Sequence, residues 1–291
     1  MINGQNREEP TGIAVYDDDW IDRGDMQGVF GHYINRYVHT MVPSRPILSS
    51  QLSVTSLGDL PNEQYKEEYS CRPPAVAMII MSIIEIILYV YDRELGGAAN
   101  FLIYNPTRRY EAWRYVTYMF VHKGIIHLGG NLSIQIMLGI PLEMVHKWWR
   151  VLIIYFAGVI AGSLGTSVAL PKFYLAGASG GVFALMTAHI ATIIMNWKQV
   201  KFAALEFFVF GFITILYVIS NFRNRYVLHK HDDIAYDAHM AGAAAGLLVG
   251  INVLCNLTVK KWEKVLWWVS SLSYTVLMSA AILWNIFGMK E

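Results

Sequence analysis

From residue 75 to the end of this chain, apolar runs of membrane-spanning length recur, separated by short polar connections. Crossing roughly 30 Å of hydrocarbon takes about 20 helical residues, and within lipid every backbone N–H and C=O has to be satisfied inside the protein. Repeated runs of that length predict an all-α polytopic membrane protein. Composition agrees, with 55% hydrophobic and only 15% charged residues among 291, where a soluble domain holds about 25% charged.

Seven spans are expected, near 75–91, 124–145, 149–170, 177–196, 202–220, 235–256 and 266–287. The first follows Arg72-Pro73-Pro74, a helix-start signal. The segment from Asp92 to Lys123 is too polar to cross and too rich in Tyr, Trp and Phe to stand in water, so it suits the membrane interface. The other connections are short, as in an antiparallel bundle. Three regions follow: a polar, partly disordered N-terminal region over 1–71, a six-span core over 72–257, and a loop with the seventh span over 258–291.

The N-terminal region carries Asp17, Asp18, Asp19, Asp22 and Asp25, but lacks the Gly and terminal Glu of a calcium loop. It reads as a solvated tail, with a short amphipathic helix possible over Trp20–Val38. Basic loops at Lys147–Arg150, Lys198–Lys201 and Lys260–Lys264 place that tail in the cytoplasm, although Arg108, Arg109, Arg114, Arg223, Arg225 and Lys230 pull the other way. A net charge of +1 with no basic stripe gives no reason to expect nucleic acid. Cys71 and Cys255 are too few for a disulfide framework and read as inert thiols, Cys71 being placed where acylation could occur.

Two of the apolar spans carry chemistry. Ser179, in Gly177-Ala178-Ser179-Gly180-Gly181, opens the fourth, and His239, in Ala238-His239-Met240-Ala241-Gly242, lies in the sixth. Polar residues at membrane depth are costly, and a serine facing a histidine is a nucleophile facing a base. Gly242, Gly246 and Gly250 share one helix face, and Gly177, Gly180 and Gly181 surround the serine, so the two spans can approach closely. Taken alone, such small residues signify helix packing. Asp237 sits about 200° around the helix from His239, which argues for a dyad and against a triad.

His127 and Asn131 lie four residues apart on one face of the second span. With the Ser179 N–H they suit an oxyanion site, where each donor contributes about 2.7–4 kcal/mol to the transition state. Glu85 and His189 should face the bundle interior, because either would be costly against lipid. There is no His-Glu-x-x-His motif and no pair of facing aspartates, so metal and aspartyl chemistries are not expected. The glycosylation patterns beginning at Asn131 and Asn256 fall in or beside spans and should be unused.

Together, Trp113-Arg114, His122, His127-x-x-x-Asn131, Gly177-Ala178-Ser179-Gly180 and Ala238-His239-x-x-Gly242 resemble the rhomboid family of intramembrane serine proteases. The resemblance runs from about residue 72 to 287. The seventh span and Gly139-Ile140-Pro141-Leu142-Glu143 resemble the animal secretase type. It implies a six-helix core plus a C-terminal seventh helix, Ser179 as nucleophile, His239 as base, and His127 and Asn131 at the oxyanion. It also implies no cofactor, and places Trp113 and Arg114 in a membrane-embedded loop with Arg114 and Glu143 making structural polar contacts. Single-pass membrane proteins, growth-factor precursors among them, would be cut to release their extracytoplasmic part within the secretory pathway. Phe183 departs from the family's usual tyrosine, which keeps a packing face for His239 without the hydroxyl, so activity should persist with altered rate or stability. The rival expectation is a non-catalytic relative that binds transmembrane helices; such relatives typically lack the serine or the histidine, and this chain has both.

Overall fold

The computed structural model describes residues 75–95, 97–197, 203–223, 235–254 and 261–288. The 20–38 helix, both cysteines, the Pro73-Pro74 start and Asn256 lie outside the described residues. The elements run α1 (Ala77–Leu95), α2 (Ala98–Leu102), α3 (Arg114–Thr117), α4 (Ile125–His146), α5 (Trp148–Ala169), α6 (Ser179–Met195), α7 (Ala203–Phe222), α8 (Tyr236–Val253) and α9 (Lys261–Leu283). The seven long helices coincide with the seven expected spans. Three of them, α4, α5 and α9 with its terminal turn, are long and apolar enough by length and composition to cross a membrane.

Boundaries differ where hydropathy and backbone bonding part company. Helix α1 continues past residue 91 to Leu95, because a polar side chain that stops a hydropathy run does not stop an i→i−4 ladder. For the same reason α9 begins at Lys261, five residues before the expected start at 266. A single residue, Lys147 at φ 74°, turns α4 into α5.

The outer faces of α1, α7 and α9 expose Ile80, Ile87, Phe208, Phe212, Leu272 and Leu283. Such surfaces are untenable in water and match lipid chains. The protein is therefore an all-α polytopic membrane protein resident in a bilayer.

Lipid tails are as apolar as leucine, so helix association in a membrane rests on close packing and internal hydrogen bonds. Both are present. Helices α5, α6 and α8 meet through small residues: Gly158 faces Ala184 and the Gly180 carbonyl, Gly165 faces Ala241, and Gly242 faces Gly180. Beside them Glu85, buried as expected, lies 3.0 Å from the Tyr155 hydroxyl, which stands 2.7 Å from Gln135 Oε1. Gln135 Nε2 donates to Ser82 Oγ at 3.0 Å, joining α1, α4 and α5. His189 also faces inward, its Nε2 3.0 Å from the Leu138 carbonyl.

Glu143 explains how α1 begins. Its carboxylate on α4 accepts from the backbone N–H groups of Ala77 and Met78, the first-turn donors that no intrahelical carbonyl can reach. Removing the acceptor strands two buried donors, each costing about 1–3 kcal/mol. Glu143→Ala should therefore lower the unfolding midpoint of the purified protein markedly, and Glu143→Gln, which keeps one acceptor oxygen, should lower it less. An unchanged midpoint for Glu143→Ala would show that α1 is held by other contacts.

Candidate active site

Ser179 is the first residue of α6, so its backbone N–H belongs to the turn whose donors lack intrahelical acceptors. At 17 residues α6 spans about 26 Å, less than the hydrocarbon core, so a serine at its start sits below the membrane surface when its other end reaches the opposite interface.

His239 is the fourth residue of α8, and its Nε2 lies 2.6 Å from Ser179 Oγ. Two features hold that approach. A Cβ on Gly242 would overlap the Gly180 carbonyl, so the helices touch backbone to backbone one turn beyond the pair. The Phe183 ring stacks on the His239 imidazole, centroids 4.6 Å apart and planes 14° from parallel. Thus the phenyl ring present here supplies the packing face expected of that position. Asp237, the second residue of α8, lies in its first turn, where an acid favours the helix dipole.

The loop before the serine is fixed from below. Gly177 adopts φ +115°, which side-chain-bearing residues rarely enter, and a Cβ there would come 2.7 Å from the His127 ring. Glycine is thus required twice over, and His127 lies directly over the loop that delivers Ser179. The Gly177 N–H donates to the Tyr118 carbonyl at 3.0 Å, and the Ala178 N–H donates to His122 Nε2 at 3.4 Å. His122 and His127 meet edge to face, 5.3 Å between centroids. Burial, reinforced by the neighbouring His127, pushes the His122 pKa down to about 4. Its ring is neutral at pH 7 and can accept that bond.

Asn131 is buried on α4 one turn after His127, and its Nδ2 donates to the His127 carbonyl at 3.1 Å. One of its two amide hydrogens is therefore committed to its own helix.

Trp113 and Arg114 lie farther out, in the loop between α2 and α4. The Trp113 indole N–H donates to the Phe101 carbonyl at 3.3 Å, and its ring stacks on Phe101 at 5.4 Å. Arg114 is almost fully buried, pairs with Glu111, and donates to the Asn100 and Ile103 carbonyls at 2.8 Å each. These are structural contacts that shape the loop, and they do not reach Ser179.

Sequence reading overlooked Tyr118. Its hydroxyl donates to the Val159 carbonyl at 2.8 Å, and a Cβ on Gly180 would come within 3.0 Å of that oxygen. Tyr118 thus braces both the loop and the first turn of α6. Its one sequence signal was a tyrosine in a segment already read as interfacial, and that could not have pointed here.

A rhomboid domain profile matches residues 109–256. Rhomboid-related protein 3 of Mus musculus is 36% identical over 249 residues, covering 79% of this chain and 61% of the relative. Rhomboid-related protein 2 of Mus musculus is 35% identical over 243 residues, covering 77% of this chain and 78% of the relative. The chain belongs to the rhomboid family.

The rhomboid match runs from Arg109 in the loop to just beyond the end of α8, so it contains every residue of the site just described, while α1 and α9 lie outside it. Membership does not by itself settle activity. Inactive rhomboid-related protein 2 of Caenorhabditis elegans is 31% identical over 215 residues, 70% of this chain and 61% of the relative. The chain spans about three fifths of the length of the first of these relatives.

Proposed function

We propose that this rhomboid is an intramembrane serine endopeptidase acting through a Ser179–His239 dyad. The supporting observation is the 2.6 Å approach of Ser179 Oγ and His239 Nε2 across two helices locked by Gly242.

In the proposed reaction, neutral His239 takes the Ser179 hydroxyl proton as Oγ attacks a substrate carbonyl carbon. Charge then develops on the carbonyl oxygen at the start of α6. In this reading the Ser179 N–H, a His127 ring N–H and the second Asn131 amide hydrogen are the donors that receive it. Collapse of the tetrahedral intermediate breaks the C–N bond, and the imidazolium returns its proton to the leaving amine. Water then attacks the acyl ester with His239 again as base, which frees Ser179. Neither a metal nor a cofactor enters these steps.

The substrates in this reading are transmembrane segments of single-pass proteins. A regular helix hides its peptide bonds, so the segment has to unwind near the membrane boundary, which favours Gly, Ala, Ser or Pro there. The extracytoplasmic part is released, with the chain's residues 1–71 in the cytoplasm and the protein in a secretory-pathway membrane. Residues 72–257 form the catalytic core, and 258–291 add the seventh helix.

A second reading, a non-catalytic binder of transmembrane helices, draws support from the relative named inactive. A reactive-serine phosphonate probe separates the two. The purified wild-type protein in lipid vesicles should label, with the adduct mapping to the peptide that contains Ser179. No labelling of a folded protein would favour the binding reading.

A further inference from the structure

A pocket of about 200 Å³ opens between the end of α1 and the loop that precedes α4. Asp92, Arg93 and His122 line it. An apolar groove of about 390 Å³ shares Tyr89 and Arg93 with the pocket and runs between α1 and α4 past Val90 and Ile125. The two cavities adjoin at Tyr89 and Arg93, the first carrying polar groups where α1 ends and the second apolar along α1 and α4.

His122 is 8% exposed and belongs to the loop before Ser179, its Nε2 accepting from the Ala178 N–H and its ring bonding the Phe120 backbone, so the groups left for a ligand are those of α1. Among the described residues no acceptor stands within bonding range of the exposed Arg93 guanidinium. Asp92 spends Oδ1 on the Ala99 N–H at 2.8 Å, and its second oxygen makes no bond among the described residues.

An acceptor-rich anion beside Arg93, an ammonium beside Asp92 and an alkyl chain in the groove are the chemistry these groups call for. We propose that the pocket and groove together bind one phospholipid with an ethanolamine headgroup. Its phosphate meets Arg93, its ammonium meets Asp92, and one acyl chain lies in the α1–α4 groove. Choline fits less well, since a quaternary ammonium has no N–H to give Asp92.

The test is independent of proteolysis. The full chain is reconstituted in phosphatidylcholine vesicles containing a few per cent of a phosphatidylethanolamine with a photoactivatable acyl chain, and adducts are mapped by mass spectrometry. They should concentrate on peptides covering residues 86–93 and 125–132. Arg93→Ala should lower the yield about five-fold, the loss of one charge-assisted contact at a partly wet site. Val90→Trp, at a lipid-exposed position where folding is not threatened, should fill the groove and lower it likewise. Unlabelled phosphatidylethanolamine should compete. Adducts spread evenly over α1, α7 and α9, or unchanged by either substitution, would overturn the site. Equal labelling of these peptides by a phosphatidylcholine carrying the same photoactivatable chain would overturn the headgroup assignment, and competition by millimolar inorganic phosphate would replace the lipid by a free anion.

Discussion

Ser179→Ala and His239→Ala should each reduce cleavage of a transmembrane substrate at least about a thousand-fold, and the double variant should be no worse than either single one. Non-additivity is the informative part. When two groups act on one proton, removing the first leaves the second with nothing to do, so the effects do not multiply. Ser179→Ala deletes one oxygen whose contact is His239, and its unfolding midpoint should stay near wild type. His239→Ala also deletes the ring that stacks on Phe183, so some loss of stability is expected there alone. Cleavage in each variant is measured on a reconstituted single-pass substrate, with substrate binding followed separately. Binding should survive in Ser179→Ala. Losses of only a few-fold, or a double variant worse by the product of the two, would sink the dyad and leave Ser179 as a packing residue.

How much of this was legible in the sequence depends on the range of the interaction that fixes each feature. The seven long helices follow from apolar run length, a local property, and were found within a few residues. Ser179, His239 and the glycines around them could be paired because a serine, a histidine and small residues at helical spacing carry their chemistry in their identity. The partners could not. Glu85 bonds to Tyr155 seventy residues away, and His122 accepts from Ala178 across fifty-six. Nothing within either segment signals the other. Asn131 shows the same limit at short range: its spacing from His127 put the two on one face, but not the bond that its amide makes to the His127 carbonyl.

The packing seam between α6 and α8 gives the second large effect. Gly246→Val should destabilise the protein by about 3 kcal/mol or more, at or beyond the upper end for overpacked cores. A Cβ at Gly246 would overlap the Ala184 carbonyl oxygen and come close to the Thr187 hydroxyl. Both lie on the body of α6, and that hydroxyl is already committed to the Ala243 carbonyl at 2.7 Å, so no flexible side-chain end can swing aside. The helices have to separate, and in lipid no hydrophobic force draws them back, because a parted interface is solvated by acyl chains at little cost. Separation also withdraws His239 from Ser179, two turns along α8, so labelling by the serine probe should fall with the midpoint. Gly250→Val should do less harm, since the nearest obstacle there is the Ala191 methyl group at 3.0 Å. Gly211→Ala is the control, with nothing within 4 Å of the new methyl group. The order of unfolding midpoints, Gly211→Ala above Gly250→Val above Gly246→Val, tests the seam directly. If Gly246→Val were as stable as wild type, the close approach of α6 and α8 could not be what holds the serine and the histidine together.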